Sequence, residues 1–187
     1  MTSAQHKDLV DVIIDDHHAF ERVFRELEDR SADPQRRRDL ADHVITELVR
    51  HSVAEEQFMY PAARRYLENG DELADHEIAE HAEAERTMKD LEGVEPTDPR
   101  FDELVGSLIE EVRHHVEDEE NDLLPKLRQA CGQRELRDLG EQVLRAKETA
   151  PTRPHPMAPD TPPANRILDA GAGLIDRMRD KLTGRAH

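Results

Sequence analysis

The sequence predicts an all-α protein whose main body is an antiparallel, up-down-up-down four-helix bundle. First, 37% of the residues are charged and only 3% are aromatic, which favours polar-faced helices over sheets. Second, apolar residues recur with helical periodicity in four long segments. Third, short junctions rich in helix-start and helix-stop residues separate these segments, and such connections join antiparallel neighbours.

Each of the four segments has an apolar stripe of its own. In chain order the stripes contain Leu9, Ile13, Phe20, Phe24 and Leu27; Leu40, Val44, Leu48, Phe58 and Ala62; Ala74, Ile78, Ala84, Met88 and Leu91; and Phe101, Leu104, Leu108, Val112, Leu123 and Leu127. The junctions lie at Asp33-Pro34, Asn69-Gly70-Asp71 and Asp98-Pro99. Each offers an N-cap acceptor, a first-turn proline or a helix-ending glycine, so we expect helices to begin there.

The chain divides into three predicted parts: a helical domain at 1–149, a proline-rich linker at 150–163 and an amphipathic tail helix at 164–187. Within the first part, apolar residues after Gly132 predict a short fifth helix that lies on the bundle. Six prolines predict that the linker is extended. We expect the tail helix to dock on its own bundle or on a second chain.

Charge and apolar content exclude several classes of partner. The net charge is −17, and because residues 150–187 contribute +2, residues 1–149 carry −19, which disfavours binding to nucleic acid or anionic lipid. No apolar run reaches the roughly 20 residues of a membrane span. Cys131 is the only cysteine, and the N-terminus lacks the apolar stretch of a secretion signal. We expect a cytoplasmic monomer or weak homodimer.

An internal repeat carries the most information about function. His51-x-x-x-Glu55-Glu56 with Pro61 after it recurs 64 residues later as His115-x-x-x-Glu119-Glu120 with Pro125 after it. The same offset maps His17 onto His81, which lie within the apolar stripes as His51 and His115 do. Each half is therefore predicted to be one helical hairpin with the same set of polar residues facing inward.

The repeated spacing suits metal binding. Residues at i and i+4 project from the same helix face, so the His and the Glu of each motif can reach one ion. Four His and two carboxylates in an apolar interior would be costly without cations. We therefore predict two ions bridged by Glu55 and Glu119, with two His on each ion. Nitrogen and oxygen ligands without thiolate fit iron, manganese or zinc.

At these residues the sequence resembles the hemerythrin family, specifically its bacterial HHE cation-binding domains, over about residues 5–130. Asp16-His17 and Glu80-His81 before the repeated motif strengthen the resemblance. It implies a non-haem di-iron centre that reacts with dioxygen, nitric oxide or peroxide. It also implies that the metal ligands are His17, His51, Glu55, His81, His115 and Glu119.

Two further residues are candidates for this site. The oxygen carriers of the family have a second His one turn before the third-helix His, whereas here the preceding His76 lies five residues before His81. Five residues rotate about 140° around a helix, so both can face the site only if a π-bulge intervenes. Tyr60 breaks the repeat symmetry, and Pro61 could distort the helix and swing Tyr60 inward.

We therefore expect a di-iron protein that binds or turns over a small oxidant, with peroxide or nitric oxide ahead of oxygen transport. Manganese or zinc fits less well. Two other classes remain open: a sensor that signals through its tail, and a metal-buffering or structural zinc protein. A ferritin-like centre would need its Glu-x-x-His motif twice, and only Glu111-x-x-His114 is present.

Overall fold

A computed structural model of the protein describes residues 7–156, 172–176 and 179–180, and within them it contains helices and no strands. The α-helices are α1 (Leu9–Glu28), α2 (Pro34–Ala54), α3 (Tyr60–Tyr66), α4 (Gly70–Glu92), α5 (Pro99–Asp118), α6 (Leu124–Ala130) and α7 (Gln133–Thr149). Glu55–Met59 joins α2 to α3 and Glu119–Leu123 joins α5 to α6, both as π-helix. The predicted all-α bundle is confirmed.

The helices begin where the junction residues predict. Asp33 accepts hydrogen bonds from the backbone N–H groups of Gln35 and Arg36, and Pro34 occupies the first position of α2. Asp98 caps α5 in the same way by accepting from the backbone N–H of Arg100. These side chains satisfy amide groups that the first helical turn leaves unpaired.

The apolar core consists of two clusters. One joins the start of α1 to α3, α6 and α7, and its largest members include Leu9, Ile13 and Tyr60. The other joins the end of α1 to α2, α4 and α5 around Phe24 and Phe101. Along each bundle helix the His and Glu of the repeat fall between these clusters. The polar residues therefore lie at mid-height of the bundle, with apolar packing on both sides.

The two π-helical segments have a common cause in the prolines of the repeat. Pro61 and Pro125 lack the N–H that would continue the α-helical hydrogen-bond pattern, and a proline ring clashes with the carbonyl four residues earlier. Each helix responds by widening, so that the N–H of Tyr60 bonds to the carbonyl of Glu55 and that of Leu124 to Glu119. Both wide turns therefore begin at a predicted ligand, as π-bulges often do at functional sites.

The predicted fifth helix is present as α7, and it packs on α1 and α2. Gly140 permits this close approach, because a β-carbon there would lie 2.9 Å from the backbone of Asp8 and Leu9. At the other end of α7, the Lys147 ammonium lies 2.6 Å from both carboxylate oxygens of Asp16. This helix thus reaches the first hairpin next to the central polar residues.

The start of the predicted linker packs against the bundle. In the segment 150–156, Thr152 is fully buried and its carbonyl accepts from the Thr46 hydroxyl at 3.2 Å. Residues 172–176 are helical, and Asp176 accepts from the backbone N–H groups of Thr152 and Arg153. The remaining linker and most of the predicted tail helix lie outside the described residues, so the division at 150 and 164 stays a prediction. No helix in the described part of the chain has the length and apolar content for crossing a bilayer.

Candidate metal centre

The structure brings the six predicted ligand residues together in the middle of the bundle. Every helix of the bundle contributes, and each of the six residues is at most 7% exposed. They are His17 from α1, His51 from α2, Glu55 from the first π segment, His81 from α4, His115 from α5 and Glu119 from the second π segment. Their burial between two apolar clusters separates them from bulk water.

The two glutamates lie between the histidines. Glu55 places its two carboxylate oxygens 3.0 Å from His51 Nε2 and 3.3 Å from His81 Nε2. Glu119 Oε2 lies 3.4 Å from His17 Nε2 and 3.8 Å from His115 Nε2. Each carboxylate therefore contacts one His from each hairpin, which is the placement that a bridging ligand between two ions requires.

The opposite nitrogen of every histidine is held by a carboxylate. Nδ1 of His17 lies 2.9 Å from Glu120 and Nδ1 of His81 lies 3.0 Å from Glu56. Each pair crosses from one hairpin to the other, and the pairs are related by the 64-residue offset. A carboxylate that accepts from Nδ1–H fixes the tautomer and leaves Nε2 available to a metal.

The other two histidines have acidic partners within their own hairpins. Nδ1 of His51 lies 3.1 Å from Asp16, and Nδ1 of His115 lies 3.1 Å from Glu80. Asp16 and Glu80 are also related by the 64-residue offset. The pseudo-twofold symmetry of the sequence therefore extends to the groups that orient the predicted ligands.

Several buried polar atoms in this cluster lack a hydrogen-bond partner of acceptable geometry among the described residues. They are Nε2 of His17 and His51, both oxygens of Glu55, and one oxygen each of Glu77 and Glu119. Such atoms are costly to bury unless something else satisfies them. Because they are nitrogen and carboxylate donors that point at one another, divalent or trivalent cations fit the space between them.

The pKa shifts of His51 and Glu55 also indicate that a cation fits between these side chains. Burial would lower the pKa of His51, but Glu55 and Asp16 raise it to about 9. Burial would raise the pKa of Glu55, yet His51 and His81 hold it well below its usual range. A proton on His51 would balance the charge of the buried carboxylates, and a bound cation would take over that role.

The donor atoms fall into two groups, each compact enough for one ion. His17, His51, Glu55 and Glu119 bring one donor atom each within 4.8 Å of one another, and so do Glu55, His81 and His115. Glu55 belongs to both groups. The cluster therefore has the geometry of a site for two metal ions.

Glu77 is an additional buried acid that sequence reasoning missed. It is 1% exposed, lies 2.9 Å from His115 Nδ1, and brings a donor atom into a third compact group with His115 and Glu119. Burial raises its pKa. A signal was present in the sequence, because Glu77 lies four residues before His81 and therefore on the same face of α4.

Tyr60 also lies in the cluster, as the distortion expected at Pro61 would allow. It is 1% exposed, and its hydroxyl donates to Glu119 Oε1 at 3.1 Å and lies 3.0 Å from His81 Nε2. Burial, together with Glu119 and Glu55, raises the pKa of this phenol well above 10. Tyr60 is therefore a protonated hydrogen-bond donor to Glu119.

The sequence matches the hemerythrin HHE cation-binding domain family over residues 8–127, which include all six predicted ligands. The chain belongs to this family. The matched region ends within α6, so α7 lies beyond the matched residues.

Two curated relatives and one solved structure are similar to this chain. A hemerythrin-like protein of the fission yeast Schizosaccharomyces pombe is 27% identical over 92% of this chain and 85% of its own length. A DNA nickase of the cyanobacterium Nostoc is 32% identical over 66% of this chain, but the match spans only 34% of that protein. The crystal structure of a hemerythrin HHE domain protein from Mycobacterium kansasii superimposes with a TM-score of 0.66. At 22% identity it covers 76% of this chain and 86% of its own, and so shows the fold.

His76 does not join the central cluster of the hemerythrin domain. Its side chain is 55% exposed on the outer face of α4, and α4 continues to His81 without a π-bulge. The 140° rotation over five residues accounts for this position. Glu77 instead takes the inward position one turn before His81. Likewise Glu111 accepts from Thr87 while His114 faces outward, so Glu111-x-x-His114 forms no ferritin-like ligand pair.

The space next to the cluster limits what can enter. A cavity of about 20 Å³ adjoins His51, His81 and His115, and its other walls include Phe20 and Val112. This is room for about one water-sized molecule. A second cavity of about 70 Å³ reaches His81 and Glu56 from beneath the segment 150–156. Only small molecules fit beside the predicted ligands.

Replacing Tyr60 by Phe separates a hydrogen-bonding role from a ligand role. We expect Tyr60→Phe to retain two metal ions, because the six predicted ligands remain. The metal-free protein should lose about 1–3 kcal/mol of unfolding free energy, since Glu119 Oε1 loses its buried donor. Metal analysis measures the number of bound ions, and urea unfolding measures the free energy of unfolding. Tyr66→Phe, at a less buried position, is the control. A lost visible absorption band in Tyr60→Phe alone would make Tyr60 a ligand.

Proposed function

We propose that this protein is a non-haem di-iron protein that binds or turns over a small oxidant: peroxide, nitric oxide or dioxygen. The supporting observation is the pair of compact donor groups that share Glu55, surrounded by buried atoms without hydrogen-bond partners. Four imidazoles and two bridging carboxylates without thiolate suit iron, ahead of manganese or zinc. We propose the ligand roles for His17, His51, Glu55, His81, His115 and Glu119.

Iron in this site would supply one- and two-electron redox chemistry and open coordination positions. The residues of the chain supply what iron does not. The Nδ1 contacts of the four histidines keep their Nε2 atoms directed inward, and the apolar walls of the small cavity exclude bulk water. The Tyr60 hydroxyl keeps one proton beside Glu119, where a reduced oxidant would need it.

Peroxide is the oxidant that we favour for turnover. Disproportionation converts two hydrogen peroxide molecules into two water molecules and one dioxygen, so it balances without an external reductant. The adjoining cavity of about 20 Å³ admits only a molecule of about the size of water, so it excludes an organic substrate. Reversible oxygen carriage is less favoured, because the inward position before His81 holds Glu77 in place of a second histidine.

Optical spectroscopy tests the proposal. We expect protein reconstituted anaerobically with Fe²⁺ to contain two iron ions, to oxidise rapidly in air, and to give a ligand-to-metal absorption band that changes with peroxide. Modest release of dioxygen from peroxide should accompany that change. Protein that is purified colourless with bound zinc, and that takes up no iron on reconstitution, would overturn the iron assignment. A reversible oxygen adduct that lasts many minutes without peroxide turnover would replace this function with oxygen storage.

A second candidate is a sensor in which the metal state reaches the C-terminal segment. The supporting observation is that Pro151, Arg153 and His155 line the same groove as His81 and Glu56. Hydrogen exchange in the segment 150–156 that differs between metal-loaded and metal-free protein would favour this role. For either candidate we propose a cytoplasmic protein that is a monomer or weak homodimer and has no nucleic-acid partner.

A further inference from the structure

Two histidines that the central cluster does not use meet on the outer face of the bundle. His76 and Glu80 are four residues apart on α4, and His114 and Asp118 are four residues apart on α5. Each pair therefore presents an imidazole and a carboxylate on one face of its helix, as the inner motif does. We call these four residues the outer site.

The distances within the outer site match the spacing of metal ligands. His76 Nε2 lies 3.6 Å from Glu80 Oε1 and 3.5 Å from Asp118 Oδ2, and His114 Nε2 lies 3.6 and 3.8 Å from the same two atoms. These separations exceed ordinary hydrogen-bond lengths. Two ligands about 2.05 Å from a tetrahedral ion are about 3.3 Å apart. His76, Glu80 and Asp118 bring one donor atom each within 4.8 Å of one another, and rotation of the exposed His114 side chain would add the fourth ligand.

The opposite half of the molecule has a cation at the equivalent position. Asp16 and Glu80 are related by the 64-residue offset, and each holds Nδ1 of one central histidine, His51 or His115. Asp16 also binds the Lys147 ammonium from α7 at 2.6 Å. Glu80 has no lysine partner among its described contacts and instead faces His76 and His114. The position that Lys147 fills in one half is thus lined by metal-ligand side chains in the other.

We propose that the outer site binds one divalent transition-metal ion of the Zn²⁺ class through His76, His114, Glu80 and Asp118. Two imidazoles and two carboxylates complete a tetrahedral shell, and the two carboxylates balance the charge of a dication. The side chains of His76 and His114 are 55% and 65% exposed, so the ion enters directly from solvent.

Glu80 connects the outer site to the central cluster. Its Oε1 faces the outer histidines, while its Oε2 accepts from His115 Nδ1 at 3.1 Å. A dication on Oε1 withdraws electron density from the carboxylate and so weakens its hydrogen bond to His115. Nε2 of that imidazole then becomes a weaker electron donor to a metal ion. Binding of an ion at the outer site therefore weakens the His115 ligand of the inner metal centre. In the other half of the molecule the Lys147 ammonium occupies the equivalent position permanently.

Titration of the metal-loaded full chain with Zn²⁺ tests the proposal by calorimetry, and Co²⁺ adds the absorption of a tetrahedral ion. We expect about one Zn²⁺ per chain beyond the inner metals, with affinity reduced at least about tenfold in His76→Ala and in His114→Ala. His18→Ala, which removes an exposed histidine of α1, is the matched control and should bind as the wild type does. Inner metal content, measured after each titration, should stay constant.

Two results would overturn the inference. Equal Zn²⁺ binding by the wild type and by the double variant His76→Ala, His114→Ala would place the ion elsewhere, and a Kd above about 1 mM would mean that the cluster is no site. The coupling through Glu80 is measured separately, from the absorption spectrum of the inner centre. Addition of Zn²⁺ should shift this absorption in the wild type and in His18→Ala, but not in His76→Ala or His114→Ala. Binding without that shift would refute the coupling to His115.

Discussion

We expect Glu119→Ala to reduce the metal content of the purified protein from two ions to one or none. Glu119 is fully buried, and its carboxylate contacts His17 and His115 as well as the Tyr60 hydroxyl. Alanine removes the proposed bridging ligand together with a buried negative charge of the cluster. Loss of a ligand shared by two ions weakens both sites together.

Metal analysis after anaerobic reconstitution measures this effect, and Glu55→Ala should behave in the same way because the two residues are related by the repeat. Glu117→Ala is the matched control, since Glu117 lies two residues before Glu119, at the end of α5, and its side chain is exposed to solvent. We expect two ions and an unchanged spectrum in that variant. Two ions retained in both Glu119→Ala and Glu55→Ala would refute the bridging role.

The second large effect is the loss of stability when the metals are removed. At a free metal concentration a thousandfold above Kd, binding to the folded state stabilises it by about 4 kcal/mol per site. For a chain of this size, each kcal/mol corresponds to about 2–4 °C in melting temperature. For two sites we therefore expect the melting temperature to fall by roughly 15–30 °C on chelation and to recover on reconstitution, as measured by calorimetry.

This difference should depend on pH. In the metal-free protein the folded-state pKa of His51 is about 9 against 6.5 for an exposed imidazole, so its stabilising charge is fully present below pH 6.5 and is lost as pH rises through 9. A metal instead requires the neutral imidazole, so its affinity increases over the same range. The gap between metal-loaded and metal-free melting temperatures should therefore widen from pH 6.5 to 9. A gap that narrows would contradict this description of the buried charges.

Much of this architecture follows from patterns that one sequence contains. The apolar stripes and the Asp-Pro junctions are local signals, and they place helix starts at Pro34 and Pro99 correctly. The 64-residue repeat brings His17, His51, His81 and His115 to the same level of the bundle. Those predictions succeed because helical periodicity fixes which residues share a face.

Other features depend on contacts between distant segments. Nothing in the spacing of Lys147 or Asp16 indicates that α7 would bring them together, because that contact depends on how α7 crosses the bundle. The burial of Thr152 and its contact with Thr46 likewise arise from tertiary packing in a segment whose prolines indicate only extension. Glu77 differs from these contacts, because its position four residues before His81 on α4 is a local signal for the inward face.

The contacts across the pseudo-twofold axis also bear on how such a centre could originate. Asp16 orients His51 within one hairpin, whereas Glu120 orients His17 across the two hairpins. Two separate copies of a single hairpin, paired about a twofold axis, would therefore already form both kinds of contact and bring together four histidines and two buried glutamates. Gene duplication and fusion of such a homodimer would preserve the centre at every step. Once the halves shared one chain, each could diverge alone, one acquiring Lys147 beside Asp16 and the other acquiring Glu77.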